Sequence, residues 1–188
     1  MVMTEQNIKE LKARLLAIFK KDAFKHGRFI LSSGKSSDYY LDGRIVTLSS
    51  EGAYLAGSII LELIKDKGIT AIGGPTIGAD PIVGAVTALG HLRNLTLKAF
   101  IVRKNAKDHG SKRQVEGPVL IPGEKVLLID DVATTGKALL EAKQALDKIG
   151  VKIEATLVIV DRLEGAGSNL EKEGLKLEAL FTIEDFRR

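Results

Sequence analysis

The sequence predicts an α/β fold with a central, mostly parallel sheet flanked by helices. Three observations predict it. Val126 to Ile129 is an unbroken apolar run, the pattern of a strand buried on both faces. Leu97 to Val102 and Val151 to Val160 also read as strands, and helical patterns stand between them. Gly74 to Pro81 and Thr134 to Gly136 are small-residue turns that each join a strand to a helix. The 188 residues suit one domain, and 45% hydrophobic with 28% charged residues is an ordinary globular mix. No repeat, low-complexity tract or linker divides the chain, so a single domain is expected over 1–188.

In chain order, Thr4 to about Asp22 reads as an amphipathic helix, with Ile8, Leu11, Leu15 and Phe19 at helical spacing. It suits packing or an oligomer surface better than catalysis. Phe29 to Asp42 (FILSSGKSSDYYLD) reads as a hairpin. On a strand, Tyr39 and Tyr40 would point to opposite faces, either as one core and one surface residue or as a lid over a planar ring. Gly52 to Lys67 is helical with Gly68 as C-cap, and Ile69 to Gly73 is a short strand. The Gly74 to Pro81 loop that follows is a possible anion cradle before a helix to about Leu92. After the Leu97 to Val102 strand, Arg103 to Gly117 is a long loop crowded with Arg103, Lys104, Lys107, His109, Lys112 and Arg113. Either it is a solvated insertion or, the reading favoured here, an arm that closes on a polyanion. Lys137 to about Ile149 is helical. Asp161 and Arg162 end the Val151 to Val160 strand, Gly165 to Glu173 is loop and short helix, and Leu175 to Ile183 alternates like an edge strand.

Composition bounds the chemistry. The chain has no cysteine, which removes disulfides, thiolate metal sites and a cysteine nucleophile. A net charge of +4 and a pI of about 9.2 fit a small polyanionic substrate as well as nucleic acid. There is no long apolar run and no signal-peptide pattern, so a cytoplasmic protein with no membrane partner is expected.

The stretch VLLIDDVATTGKA carries the chemistry. Its strand delivers Asp130 and Asp131 to the carboxyl end. The Thr134-Thr135-Gly136 turn and the helix start behind it offer backbone N–H groups, hydroxyls and a positive dipole end to an anion. The carboxylates beside them can accept hydrogen bonds from vicinal hydroxyls, so a phosphorylated sugar satisfies both halves. Arg162, at the end of another core strand, presents a fork suited to a carboxylate, or else pairs with Glu164.

This stretch resembles the phosphoribosyl-pyrophosphate (PRPP) signature of the type I phosphoribosyltransferases. The Ser/Gly and Tyr-Tyr block, the Arg103-Lys104-x-x-Lys107-x-His109 spacing and the later Asp161-Arg162 narrow the resemblance to the orotate branch, over most of the chain. It implies the type I phosphoribosyltransferase fold, with a small N-terminal hood over about 1–48 and a core over about 49–188. It also implies the transfer of ribose 5-phosphate from PRPP to orotate, giving orotidine 5′-monophosphate and pyrophosphate, with magnesium (Mg2+), on the way to UMP.

By the same resemblance Asp130 and Asp131 would hold the ribose hydroxyls, within a PRPP site made of Asp130, Asp131, Val132, Ala133, Thr134, Thr135, Gly136, Lys137 and Ala138. The last five would surround the 5′-phosphate. Arg103, Lys104, Lys107 and His109 would neutralise pyrophosphate, on a loop shared across a homodimer. Lys107, His109, Asp130 and Asp131 would be the catalytic group. Thr134 and Arg162 would contact orotate, and Tyr39 and Tyr40 would line its site. Magnesium would be held mainly by PRPP and water, with no direct protein ligand.

Two departures stand out: some family members carry a lysine where this chain has Ile77-Gly78, and another where it has Ser32. Two rival readings are a transferase for another base and a nucleic-acid-binding regulator on the same fold. The chain shows no appended helix-turn-helix, and its charge is concentrated in one loop, so no nucleic-acid partner is expected.

Overall fold

The computed structural model describes residues 5–30, 36–104 and 114–187. Its elements are α1 Glu5–Ile18, a π-helical turn Phe19–Ala23, β1 Phe24–Ile30, β2 Ser36–Leu41, α2 Arg44–Thr47, α3 Ser50–Ile64, β3 Ala71–Pro75, α4 Asp80–Leu92, β4 Lys98–Val102, β5 Val115–Glu116, β6 Lys125–Ala133, α5 Lys137–Asp147, β7 Lys152–Asp161, α6 Ala166–Lys172, β8 Leu177–Thr182 and α7 Ile183–Arg187.

The main sheet has six strands in the order β5-β4-β3-β6-β7-β8. All neighbouring pairs are parallel except β4 with β5. From β3 the chain winds outward through α4 to β4. From β6 it winds the other way, through α5 to β7 and α6 to β8. Winding therefore reverses between β3 and β6. The crevice outside their carboxyl ends is where open α/β sheets bind ligands.

β6 shows why its sequence forms a central strand. Leu127 and Ile129 enter the apolar cluster of α1, α3 and α4, while Val126 and Leu128 enter the cluster of α5 and α6 on the opposite face. The period of two sends alternate side chains into two cores, so no position in the run can be polar. α3 starts at Ser49, whose hydroxyl accepts from the Gly52 amide at 3.1 Å, an N-cap.

β1 and β2 form a separate antiparallel pair. Phe24, Tyr39 and Leu41 from this pair pack into the same cluster as α3 and α4. Phe19, carried by the π-helical turn, packs edge-on against Phe186 of α7 with centroids 6.2 Å apart, and Phe24 lies 5.3 Å from the same ring. This aromatic knot ties both ends of the chain to the sheet.

Several expected boundaries move. The first helix stops at Ile18, because the π-helical turn is what swings Phe19 and Ala23 inward. The hairpin's first strand begins at Phe24 rather than Phe29, since its pairing with Leu41 buries both side chains. Gly74 and Pro75 belong to β3 rather than to a loop, paired with Ile101 and Val102. The stretch after Arg103 is not loop throughout, because Val115 and Glu116 return antiparallel to Val102 and Ile101. After β8 the chain turns into α7, which the alternating pattern does not announce; Phe186 is its buried anchor. Among the described residues, no helix is long and apolar enough to cross a membrane.

Candidate active site

Asp130 and Asp131 stand near the carboxyl end of β6, at the point where winding reverses. Their carboxylates are locked by backbone donors, Asp131 N–H to Asp130 Oδ1 at 2.9 Å and Val132 N–H to Asp131 Oδ1 at 2.8 Å. Asp130 is 8% exposed. Burial first, and the neighbouring Asp131 second, push its carboxyl well above the usual range. Asp131 is also raised by burial, with the Val132 amide, Asp130 and Arg44 pulling part of the way back.

Three features outside the strand–turn–helix stretch bracket this pair. Gly78 leaves room for it: a Cβ there would stand 2.2 Å from Asp130 Oδ1. Gly43 does the same from the other side, at 2.8 Å from Asp131 Oδ2. Arg44 is the third. Its Nε and Nη2 donate to the two Asp42 carboxylate oxygens, both at 2.9 Å. The Asp42 carboxyl is held below its ordinary range by that guanidinium. An Asp-Gly-Arg turn is the sequence signal for this bracket, but nothing local shows that it faces residue 131.

The Thr134–Gly136 turn follows the acids. Gly136 has φ +77° and precedes the first helical residue, Lys137, with no side chain capping the helix. The turn is pinned from outside, where Asn169 Nδ2 donates to the Thr135 carbonyl at 3.0 Å and Gly136 packs against Ala166. An uncapped helix start of this kind offers backbone N–H groups to an anion. The Gly-rich loop before α4 directs three of its amides to backbone carbonyls. Its amides at Thr76, Ala79 and Asp80 donate to Val102, Pro75 and Ile77, and Asp80 places its own carboxylate at that helix start. Thr76 Oγ1 donates to Asp80 Oδ2 at 2.8 Å.

A cavity of about 300 Å³ opens between these parts, lined by Tyr40, Gly78, Asp130, Asp131, Thr134 and Arg162 among others. Val132 and Ala138 also border it, while Ala133 is buried beneath. A second cavity of about 300 Å³ shares Pro75, Thr76 and Ala138 with the first and brings in Arg103, Lys104 and Lys137. The root of the basic stretch therefore stands beside the helix start. The Arg103 amide donates to the Gln114 carbonyl at 2.9 Å, and Gln114 Nε2 returns a bond to the Arg103 carbonyl at 3.1 Å. The Arg103 guanidinium lies 3.7 Å from Glu116. Lys107 and His109 lie outside the described residues.

Tyr39 and Tyr40 face opposite ways, as strand alternation predicts. Tyr40 is 39% exposed and borders the cleft, whereas Tyr39 is 6% exposed in the aromatic knot. The Arg162–Glu164 pair left open by the sequence is present, with Nε 2.9 Å from Oε1. Arg162 nonetheless lines the cleft as well.

An acid pair beside an uncapped helix start, at the point where the sheet reverses its winding, is how one edge can grip a sugar and its phosphate together. That edge, on this sheet, is the type I phosphoribosyltransferase arrangement, and residues 41–184 match the family described as "Phosphoribosyl transferase domain". The orotate phosphoribosyltransferase of Synechocystis is 41% identical over 95% of this chain and 90% of its own. That of Rhodopirellula baltica is 42% identical over 93% of each. The Mycobacterium tuberculosis orotate phosphoribosyltransferase in complex with PRPP superposes with a TM-score of 0.77 at 31% identity, over 95% of this chain and 99% of the other. The chain belongs to the orotate phosphoribosyltransferase family.

Proposed function

We propose that the chain transfers the ribose 5-phosphate of PRPP to orotate, releasing pyrophosphate and forming orotidine 5′-monophosphate. The observation that carries this reading is the juxtaposition of Asp130–Asp131 with the open start of α5 in one cleft that Arg162 also borders. In it Thr134 to Ala138 take the 5′-phosphate, the two acids take the ribose hydroxyls, and Arg162 takes the orotate carboxylate. Tyr40 covers the base.

Breaking the bond between the anomeric carbon and pyrophosphate leaves positive charge on the ribose and negative charge on the leaving group. Orotate arrives as an anion, so no strong base and no covalent enzyme intermediate are required. The protein's task is to align the nucleophile and stabilise separating charge. The acid pair lies where ribose charge develops. Arg103 and Lys104, with Lys107 and His109 further along, meet the departing diphosphate and exclude water from the activated sugar. The basic stretch is shared between the subunits of a homodimer.

Magnesium fits this donor set as an ion carried on the substrate. The described residues bring together no group of three or more His, Asp or Glu side chains placed to hold a metal. A hard divalent ion of this size takes phosphate oxygens and water. Asp130 and Asp131 are the residues that would face its hydration shell. When bound, it supplies charge neutralisation on the diphosphate.

The test is an absorbance assay for orotate consumption with PRPP and magnesium, run beside uracil and adenine. Turnover of orotate alone is expected. Turnover of adenine or uracil in its place would overturn the assignment.

A further inference from the structure

Arg162 is held from behind. Its side chain is 10% exposed, and the contacts that fix it come from one residue close in sequence, Glu164, and one far away, Tyr39. Nε–H donates to the Tyr39 hydroxyl at 2.9 Å and lies 2.9 Å from Glu164 Oε1. The Tyr39 hydroxyl closes the triangle by donating to the same Glu164 oxygen at 3.3 Å. The Arg162 guanidinium carbon sits 4.8 Å from the centroid of the Tyr39 ring. That ring is itself immobilised by Phe24, 5.6 Å away, and by Arg187, whose guanidinium carbon lies 5.6 Å from its centroid. Neither polar contact uses a terminal nitrogen of Arg162.

We propose that Tyr39 and Glu164 are positioning residues for substrate recognition, anchoring Nε of Arg162 so that its two terminal nitrogens present a fixed fork to the substrate carboxylate. This rests on the assignment of Arg162 to orotate made above. A guanidinium binds a carboxylate best through two parallel N–H bonds, which demand a set orientation of its plane. A long side chain loses rotamer freedom when it is held that way, and the anchor meets this cost before substrate arrives. Glu164 could instead compete with the substrate for the positive charge. Its side chain is 41% exposed, so water screens that competition while the Nε contact persists. Tyr39 carries no charge and can only orient. Because Tyr39 comes from β2, the hairpin geometry sets the group that selects the base, although the Tyr39 ring itself is buried away from the cleft.

The test is steady-state kinetics on Tyr39→Phe and Glu164→Gln, with Arg162→Ala as reference. Loss of the Tyr39 hydroxyl's hydrogen bond in one variant, and of the Glu164 charge beside Nε in the other, is expected to raise KM for orotate about tenfold in each. KM for PRPP and the melting temperature should stay at wild-type values, and Glu164→Asp should recover part of the orotate affinity. Unchanged orotate KM in both variants overturns the proposal, and so does a PRPP KM that rises in step. A wild-type chain that leaves orotate unconsumed removes the functional reading itself. Orotate turnover that needs Arg162 but neither Tyr39 nor Glu164 overturns the positioning role alone.

Discussion

Gly78 lies directly against Asp130: a Cβ at residue 78 would stand 2.2 Å from Asp130 Oδ1 and 2.5 Å from Asp131 Oδ1. Real contacts are never so short, so either the loop or both carboxylates must move. Gly78→Ala is therefore expected to weaken PRPP binding by roughly tenfold or more, since misplacement by about 1 Å suffices for large losses in a preorganised site. Titration calorimetry with PRPP and magnesium checks it. Wild-type affinity in Gly78→Ala would show that the acids need no such clearance. The same contact explains why no side chain stands at 78, while the neighbouring Ile77 turns its side chain to solvent.

Asp130 is kept at a thermodynamic disadvantage when ionised. Its folded-state carboxyl is raised by burial, by Asp131 and more weakly by Asp80. The sign follows from linkage: its contribution to stability is fully present below the unfolded carboxylate pKa and is lost as pH rises through the raised folded value. Asp130→Asn keeps the acceptor for the Asp131 amide and removes the charge. At neutral pH the unliganded variant should melt higher than wild type, by about 2–4 °C for each kcal/mol relieved, while turnover collapses. The difference in melting temperature should shrink as pH falls. A variant that melts lower at neutral pH would contradict the assignment of strain to this carboxyl.

Much of this was legible because it is local. The Val126 to Ile129 run fixes a strand buried on both faces, and the acids, turn and helix start follow it without interruption, so Asp130 to Ala138 could be read as one unit. Arg162 falls at the same sheet edge because β7 is another strand of the same kind. What escaped depends on partners distant in sequence. Gly78 and Gly43 matter only because residues 130 and 131 pack against them. Val115 and Glu116 are too short a pair to show strand periodicity, and their pairing with Val102 and Ile101 makes them one. The role of Tyr39 hangs on residues 162 and 164, 123 and 125 positions away.

Glu124 provides a control at the other end of the sheet. It precedes β6 and ties in the starts of β3 and β4, accepting from Thr70 Oγ1 at 2.9 Å, Lys98 Nζ at 3.0 Å and the Ile121 amide at 3.1 Å. Burial alone would raise its carboxyl, but the bonds from Lys98, Ile121 and Thr70 outweigh that and hold it low. Its stabilisation is thus present above the unfolded carboxylate pKa and lost as pH falls through the depressed value. Glu124→Ala is expected to cost about 2 kcal/mol, read as a lower melting temperature that converges with wild type in acid. KM for orotate and PRPP should not change. A shifted KM would mean that the two ends of the sheet are coupled.

Whether the basic stretch is shared between subunits, as proposed above, is tested by mixing two variants that disable different parts of the site. Lys107→Ala removes a cation from the segment beyond Lys104, and its loss of turnover should far exceed any loss of melting temperature, since one such donor is worth on the order of a hundredfold in rate. Asp131→Asn disables the acid pair in the cleft. Each variant alone should be nearly inactive. If one subunit's basic stretch completes the other's cleft, a mixed dimer holds one site with both defects and one with neither. Random reassociation of equal amounts would then restore roughly a quarter of wild-type activity, from symmetric two-fold pairing. Each variant should be purified separately, the two mixed under conditions that exchange subunits, and orotate consumption followed over time. Recovery towards that fraction supports sharing. A mixture that stays at the level of its parents, while labelled subunits demonstrably exchange, places the whole site within one chain.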